Sequence, residues 1–217
     1  MIRKLYYWFH AMTSRPSERG EYSSGRWQDT VRRQAVAWAP GSPGGRLLEI
    51  GCGEGLLLAQ LAKERPGLSL SGIDNSRERI QRATSRLAGR AVHLAVEDAT
   101  RLSFADESFD CCVCINVFFN MPSIEVVRAA LAEMKRVSKR NGTFIFDFRN
   151  AANPLLVLKY ALAPWYDATV KGLPLKTYRL SHMQRLLVEL GLQIIETKQV
   201  GAKAGFPAPI IMVKARK

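Results

Sequence analysis

Nowhere does the sequence run through the ~18 consecutive apolar residues that a membrane-spanning helix needs. It also lacks internal repeats, low-complexity tracts and any Pro/Gly/Ser linker long enough to divide it. A transmembrane bundle, a solenoid and a string of tethered domains are thereby excluded, and one domain is expected. Histidine is scarce, with three in 217 residues, and none lies near the cysteines. Cysteine is scarce too, and three of the four (Cys111, Cys112 and Cys114) crowd into one apolar segment. Neighbours on one strand are badly placed to bridge, and alternation puts Cys111 on the face opposite Cys112 and Cys114. Buried thiols, no metal site and a reducing, cytoplasmic setting are the expectations. The start, MIRKLYYWFHAM, places basic residues before an apolar stretch that is short, carries two Tyr and a His, and has no small-residue cleavage site. It does not read as a signal peptide.

Acidic residues are in short supply: 19 Asp and Glu against 32 Lys and Arg leave a formal charge of +13. Residues 1–46 hold eight basic and three acidic residues, and residues 198–217 hold five basic and none acidic. Between them, residues 47–150 are nearly balanced, at fourteen against thirteen. A neutral centre with basic ends suggests a scaffold whose periphery meets an anionic surface or ligand, beside the default of solvated side chains. With 47% hydrophobic residues the chain has material for a sizeable core and is not disordered.

From residue 46 onward, short apolar runs alternate with amphipathic segments, the pattern of a mainly parallel sheet with crossover helices. Strands are predicted at 46–51, 68–74, 91–97, 111–117 and 143–148. Helices are predicted at 26–39, 54–65, from a Ser76 cap to Gly89, and at 124–137. Residues 150–180, rich in Pro, Leu and aromatics, read as a helical or irregular cover. Ser181 and Gln184 form an S-x-x-Q capping box for a helix ending at Gly191, and LQIIETKQV and PIIMVKAR close the chain as an antiparallel edge hairpin.

The chemistry is concentrated in LLEIGCGEG, residues 47–55. A strand entering a glycine-rich turn and then a helix brings bare backbone close to a ligand at the carboxyl end of a sheet. The spacing is G-x-G-x-G, and Leu56 stands where a dinucleotide fingerprint needs its third glycine. Asp74 ends the second strand, where its carboxylate can accept from two ribose hydroxyls, and Asp98 follows the third, where it can accept from an adenine amino group while the Ala99 N–H donates to the ring.

E-I-G-C-G-E-G at 49–55, G-I-D at 72–74, E-D-A-T-R-L-S-F at 97–104, S-F-D at 108–110 and R-V-S-K-R-N-G-T at 136–143, in this order, resemble the class I S-adenosylmethionine-dependent methyltransferases, in particular the small-molecule, type 11-like branch. The resemblance covers residues 45–150 well and 179–217 loosely. It implies an α/β, Rossmann-like fold with a seven-stranded, mostly parallel sheet and an antiparallel C-terminal edge hairpin. In one domain it implies an N-terminal lid (1–45), a cofactor-binding core (46–150), a substrate cover (151–180) and closing elements (181–217). It implies S-adenosyl-L-methionine as cofactor, with Gly51, Cys52 and Gly53 along its methionine part, Asp74 at the ribose, Asp98 and Ala99 at the adenine, Asn116 where the methyl group leaves, and Asn75 among the cofactor-binding residues. Glu49 either orders the glycine loop or meets the cofactor's amino group, or is a buried acid satisfying loop N–H groups. The sequence departs from the family in having Phe118-Phe119-Asn120 after the fourth strand, which reads as an apolar pocket wall or as core, and Arg140-Asn141-Gly142 in place of a Pro-Gly-Gly turn.

Methyl transfer from a sulfonium is an in-line displacement that needs alignment first and a base only for a poor nucleophile. His10 is the one histidine to test as a base, since His93 falls within a strand and His182 beside a helix start. The acceptor expected is a small molecule, apolar or aromatic, held under a lid from the first forty residues and the 150–178 insert. RNA is the alternative that +13 prompts, though strand four ends I-N-V-F-F-N and not in the D/N-P-P-Y/F/W of many base-amino methyltransferases. Peripheral membrane work on a lipid- or quinone-like substrate is the third, because residues 1–12 mix Arg3 and Lys4 with aromatics. No stable protein partner is expected.

Overall fold

The computed structural model of the protein describes residues 26–166, 172–202 and 205–217. Its framework is a seven-stranded sheet of β1 (Arg46–Ile50), β2 (Ser69–Asp74), β3 (Val92–Val96), β4 (Phe109–Cys114), β5 (Ser138–Arg149), β6 (Gln193–Val200) and β7 (Ile210–Arg216). Spatial order is β3-β2-β1-β4-β5-β7-β6. The first five strands are parallel, and β7 enters antiparallel to both β5 and β6, so the predicted edge hairpin is present.

The helices are α1 (Arg26–Trp38), α2 (Leu56–Glu64), α3 (Arg77–Arg86), α4 (Ile124–Val137), α5 (Pro154–Tyr166) and α6 (Leu180–Glu189), with a 3₁₀ turn at Phe118–Asn120. Strand alternation sorts the core into two layers. Leu48, Cys112, Cys114, Phe144 and Phe146 join Leu131 and Met134 of α4 and Leu187 of α6 on one face. Leu47, Cys111, Val113 and Ile145 join Val31 and Ala35 of α1 and Leu58 and Leu61 of α2 on the other. Covered on both faces, the central strands read as continuous apolar runs rather than alternating ones.

Several boundaries differ from the sequence expectation. β4 begins at Phe109 and ends at Cys114, so Asn116 lies beyond the strand, with φ of 59°. β5 starts at Ser138 because Ser138 pairs with Phe109 ahead of a register shift, and the Arg140-Asn141-Gly142 turn is carried within it, with Asn141 at φ 63°. The Ser181–Gln184 capping box does not form. Arg179, in extended conformation, is the residue before α6, and its carbonyl accepts from the His182 and Met183 N–H groups. Ser181 therefore sits inside the first turn. The start of α6 is set by chain arriving from the sheet, since the Tyr178 N–H donates to the Arg149 carbonyl. Ser76 does cap α3, accepting from the Arg79 N–H.

Gly72 in β2 shows how tightly α2 is drawn onto the sheet. A Cβ there would lie 2.5 Å from Leu58 Cδ1 and 3.1 Å from Cys52 Sγ. Replacing it with valine must push α2 and the glycine loop outward. Gly72→Val should cost about 1–3 kcal/mol, read as a lower urea midpoint, with a matching loss of cofactor affinity.

Candidate functional site

The strand order reverses between β1 and β4, and a cavity of about 420 Å³ opens there at the carboxyl ends of the strands, where open α/β sheets bind ligands. All nine residues predicted to hold the cofactor line it: Glu49, Gly51, Cys52, Gly53, Asp74, Asn75, Asp98, Ala99 and Asn116. His10 lies outside the described residues. His93 and His182 are both exposed, and His93 rests edge-on against Phe104.

The glycine loop is held from below by β2. The Cys52 N–H donates to the Ile73 carbonyl at 2.8 Å, and the Gly53 N–H to Asp74 Oδ2 at 3.0 Å. The other Asp74 oxygen accepts from the Ser76 N–H at 2.9 Å. Gly51 has φ of 73°, and a Cβ on it would lie 2.3 Å from Val117 Cγ2. Only glycine serves at that point, on conformation and on space alike.

Glu49 is buried, and the N–H of Leu58, in the first turn of α2, donates to its carboxylate. Its Oε2 has no hydrogen-bond partner. Burial holds its carboxyl well above the ordinary value, against the pull of Arg32 and with the help of Asp74. Asp98, at the rim, is held below the ordinary carboxylate value because the Thr100 hydroxyl and N–H both donate to its Oδ1, each at 2.7 Å. Burial, with the carboxylates of Glu49 and Asp74 nearby, pushes the Cys52 thiol far up, so it packs and does not react.

Three features were not read from the sequence. The first is Arg32 of α1, which lines the cavity beside Glu49. The second is a polar brace behind Asn116. Asp147 Oδ1 accepts the Asn116 N–H, Arg149 Nη1 pairs with Asp147 Oδ2, and Arg149 Nη2 donates to Asn116 Oδ1 at 3.0 Å. Arg149 Nε donates to the Tyr160 hydroxyl at 3.1 Å, and its guanidinium lies 4.3 Å from the centre of the Phe119 ring. Burial raises the Asp147 carboxyl against the opposing Arg149 cation and Asn116 N–H. The third is Arg136, whose guanidinium donates to the Leu102 and Phe104 carbonyls and to Asp106 and Glu133, while Glu133 accepts the Leu102 N–H. That clamp fixes the loop that leaves Asp98. A lone arginine signals none of these sets of partners, because in each the near neighbour is joined by one tens of residues away, such as Asn116 for Arg149 and Leu102 for Arg136.

The far end of the cavity is apolar, walled by Val117, Phe119, Met121, Pro122 and Val126. The two phenylalanines thus divide: Phe118 is core and Phe119 is wall. Asn120 Oδ1 is buried there without a partner. The four cysteines are free and buried, and no cluster of His, Cys, Asp and Glu able to hold a metal occurs among the described residues.

Residues 48–146 match the family model of a methyltransferase domain. The chain is 31% identical over 149 residues to a phosphatidylethanolamine N-methyltransferase of Cereibacter sphaeroides, covering 66% of this chain and 70% of that one. It is 29% identical over 202 residues to a ubiquinone/menaquinone biosynthesis C-methyltransferase of Cupriavidus metallidurans, covering 89% and 82%. Among solved structures it is similar to an S-adenosylmethionine-dependent methyltransferase from Methanosarcina mazei, with a TM-score of 0.67, 23% identity, and 81% and 93% of the two chains covered. It is also similar to magnesium protoporphyrin IX methyltransferase from Synechocystis with bound S-adenosylhomocysteine, with a TM-score of 0.67, 22% identity, and 87% and 82% covered.

The residues present fit S-adenosylmethionine. Glu49 Oε2 is a buried carboxylate oxygen without a partner and so able to accept from an ammonium, the loop has no Cβ at Gly51, Gly53 or Gly55, and further carboxylates line the cavity at the end of β2 and just after β3.

Two outcomes follow. Glu49 keeps its proton in the folded chain above the pH at which the unfolded chain releases it. Its contribution to stability therefore falls as pH rises above the ordinary value of 4.5 and is nil below it. Glu49→Gln should raise the urea midpoint of the cofactor-free protein at neutral pH, and that gain should vanish in acid. Arg149→Met, which strands Asp147, should cost about 3–5 kcal/mol, and adding Asp147→Asn should recover most of it in the same denaturation experiment.

Proposed function

Since the chain belongs to the class I S-adenosylmethionine-dependent methyltransferases and is an enzyme of that family, we propose that it methylates a small apolar acceptor, a ring- or acyl-bearing molecule received against Phe119, Met121, Pro122 and Val126. The apolar wall is the observation that carries this reading. Those wall residues carry no charge, so they offer an acceptor packing surface and not ion pairs. Both named relatives support the reading, one acting on a phospholipid amine and the other on a quinone precursor carbon by their names.

S-adenosylmethionine supplies an electrophilic methyl group on a sulfonium. On this proposal Glu49 Oε2 takes the cofactor's ammonium, Gly51, Cys52 and Gly53 give backbone along its methionine part, and Asp74 with Asn75 takes the ribose. Asp98 and the Ala99 N–H take the adenine. Asn116, fixed in left-handed backbone by Asp147 and with its amide oxygen held by Arg149, sets the wall at the point of transfer. Phe119 presents a ring face held by Arg149, against which a planar or acyl acceptor packs out of water. Alignment is the main task of these residues.

Asp74→Ala should weaken S-adenosylhomocysteine binding by about 1.5–3 kcal/mol in calorimetry, the worth of hydrogen bonds to a charged group. For the acceptor, formation of S-adenosylhomocysteine would be followed with a short-prenyl demethylquinol, phosphatidylethanolamine in mixed micelles, and an RNA transcript. Turnover is expected with an apolar acceptor. Turnover with RNA alone would sink the proposal.

A further inference from the structure

α5 is apolar on every side. Of its thirteen residues Lys159 is the sole charged one. Its inner side is accounted for: Leu156 and Ala163 are buried, and Tyr160 carries its hydroxyl to Arg149 and its ring to within 6.3 Å of Phe119, centre to centre. Its outer side faces solvent. Leu155, Leu158, Leu162 and Trp165 recur at i, i+3, i+7 and i+10 and are 53%, 56%, 48% and 88% exposed, with Val157 beside them. A surface helix ordinarily turns polar residues outward, and one that is apolar all round is ordinarily covered.

The stripe continues beyond the helix. Asn153 accepts the Leu156 N–H and donates to the Pro207 carbonyl, which sets exposed Phe206 beside the start of α5. On the other side, the Lys176 N–H donates to the Phe119 carbonyl, so the chain that follows α5 borders the cavity's apolar wall.

Charge selects what covers this face. Residues 151–179 hold four basic residues and one acidic, residues 198–209 hold two basic and none acidic, and residues 1–25 hold four basic and two acidic. A second copy packed two-fold through α5 would set this cationic segment against itself, and residues 1–25 would bring like charge as well. An anionic bilayer complements it: apolar side chains enter the acyl boundary, tryptophan sits at headgroup level, and lysine and arginine meet lipid phosphates. We infer that the outer face of α5, with Phe206 at its edge, docks the enzyme on an anionic lipid surface, so that the apolar wall at Phe119 opens beside the bilayer from which an apolar acceptor is drawn. The purpose of docking rests on the proposed apolar acceptor; the docking itself does not.

The test uses the full chain and no acceptor. Flotation with phosphatidylcholine vesicles, with and without phosphatidylglycerol, should recover the protein with the anionic vesicles, less so in high salt. The triple variant Leu158→Gln, Leu162→Gln, Trp165→Gln should lose about tenfold or more of that partitioning, with S-adenosylhomocysteine affinity and circular dichroism unchanged. In parallel, acyl-brominated lipid should quench part of the tryptophan emission of the wild type, and that part should be missing in Trp165→Phe. Undiminished flotation of the triple variant, or quenching unaltered in Trp165→Phe, overturns the inference. So does a wild type that ignores vesicles but is a dimer that the triple variant makes monomeric. Any of these leaves the acceptor panel standing, and failure of that panel leaves the vesicle result standing.

Discussion

One carboxylate ties together the loops on the β1–β2 side of the cavity. Asp74 ends β2, and its two oxygens accept backbone N–H groups from the glycine loop after β1 and from the entry to α3. Two loops that belong to different crossover units are thereby locked to a common point. The close seating of α2 over Gly72 and the left-handed turn at Gly51 under Val117 are possible only with the loop at that height. A carboxylate is suited to this because it accepts several hydrogen bonds at once and retains lone pairs for a ligand. Buried backbone donors that would otherwise lack partners are satisfied by the same group that faces the cavity.

Across the cavity a second ionic device does the corresponding work beside Asn116 and Phe119. Asp147 and Arg149 are two residues apart on β5, so strand alternation aims both at the same face. Buried together, they hold Asn116 in a conformation it would not choose alone, and through Tyr160 they reach α5. The two devices flank the point at which strand order reverses. Each is a buried charge whose cost is offset by directed hydrogen bonds, and each fixes a loop more firmly than apolar packing would.

What was legible in the sequence was whatever has local grammar. The short apolar runs of the central strands, the Ser76 cap, the glycine triplet and the carboxylates placed at or just after strand ends all express themselves within a few residues, and the nine residues so identified line one cavity. The brace and the Arg136 clamp were not legible because their partners are long-range: Arg149 is 33 residues from Asn116, and Arg136 is 34 from Leu102. Ser181 shows the opposite failure. Its motif is locally sound, yet the hydrogen bond from Tyr178 to Arg149 delivers the chain so that Arg179 takes the cap position and the helix begins two residues earlier than a Ser181 cap would set it. Residues 150–180 read as a helical or irregular cover, and nothing local told the buried side of α5 from its exposed side.

The anchors of α5 bear on the order in which the molecule is made. Asn150 and Asn153 donate their side-chain amides to the Ala208 and Pro207 carbonyls, 58 and 54 residues further along the chain. Those carbonyls are brought into place by the loop that leads into β7, and β7 comes after the other six strands of the sheet in chain order. The glycine loop and its carboxylates, by contrast, are complete once β5 has emerged. The loops that line the cavity at Gly51, Asp74 and Asp98 therefore precede, in synthesis, the seating of α5 beside Phe119.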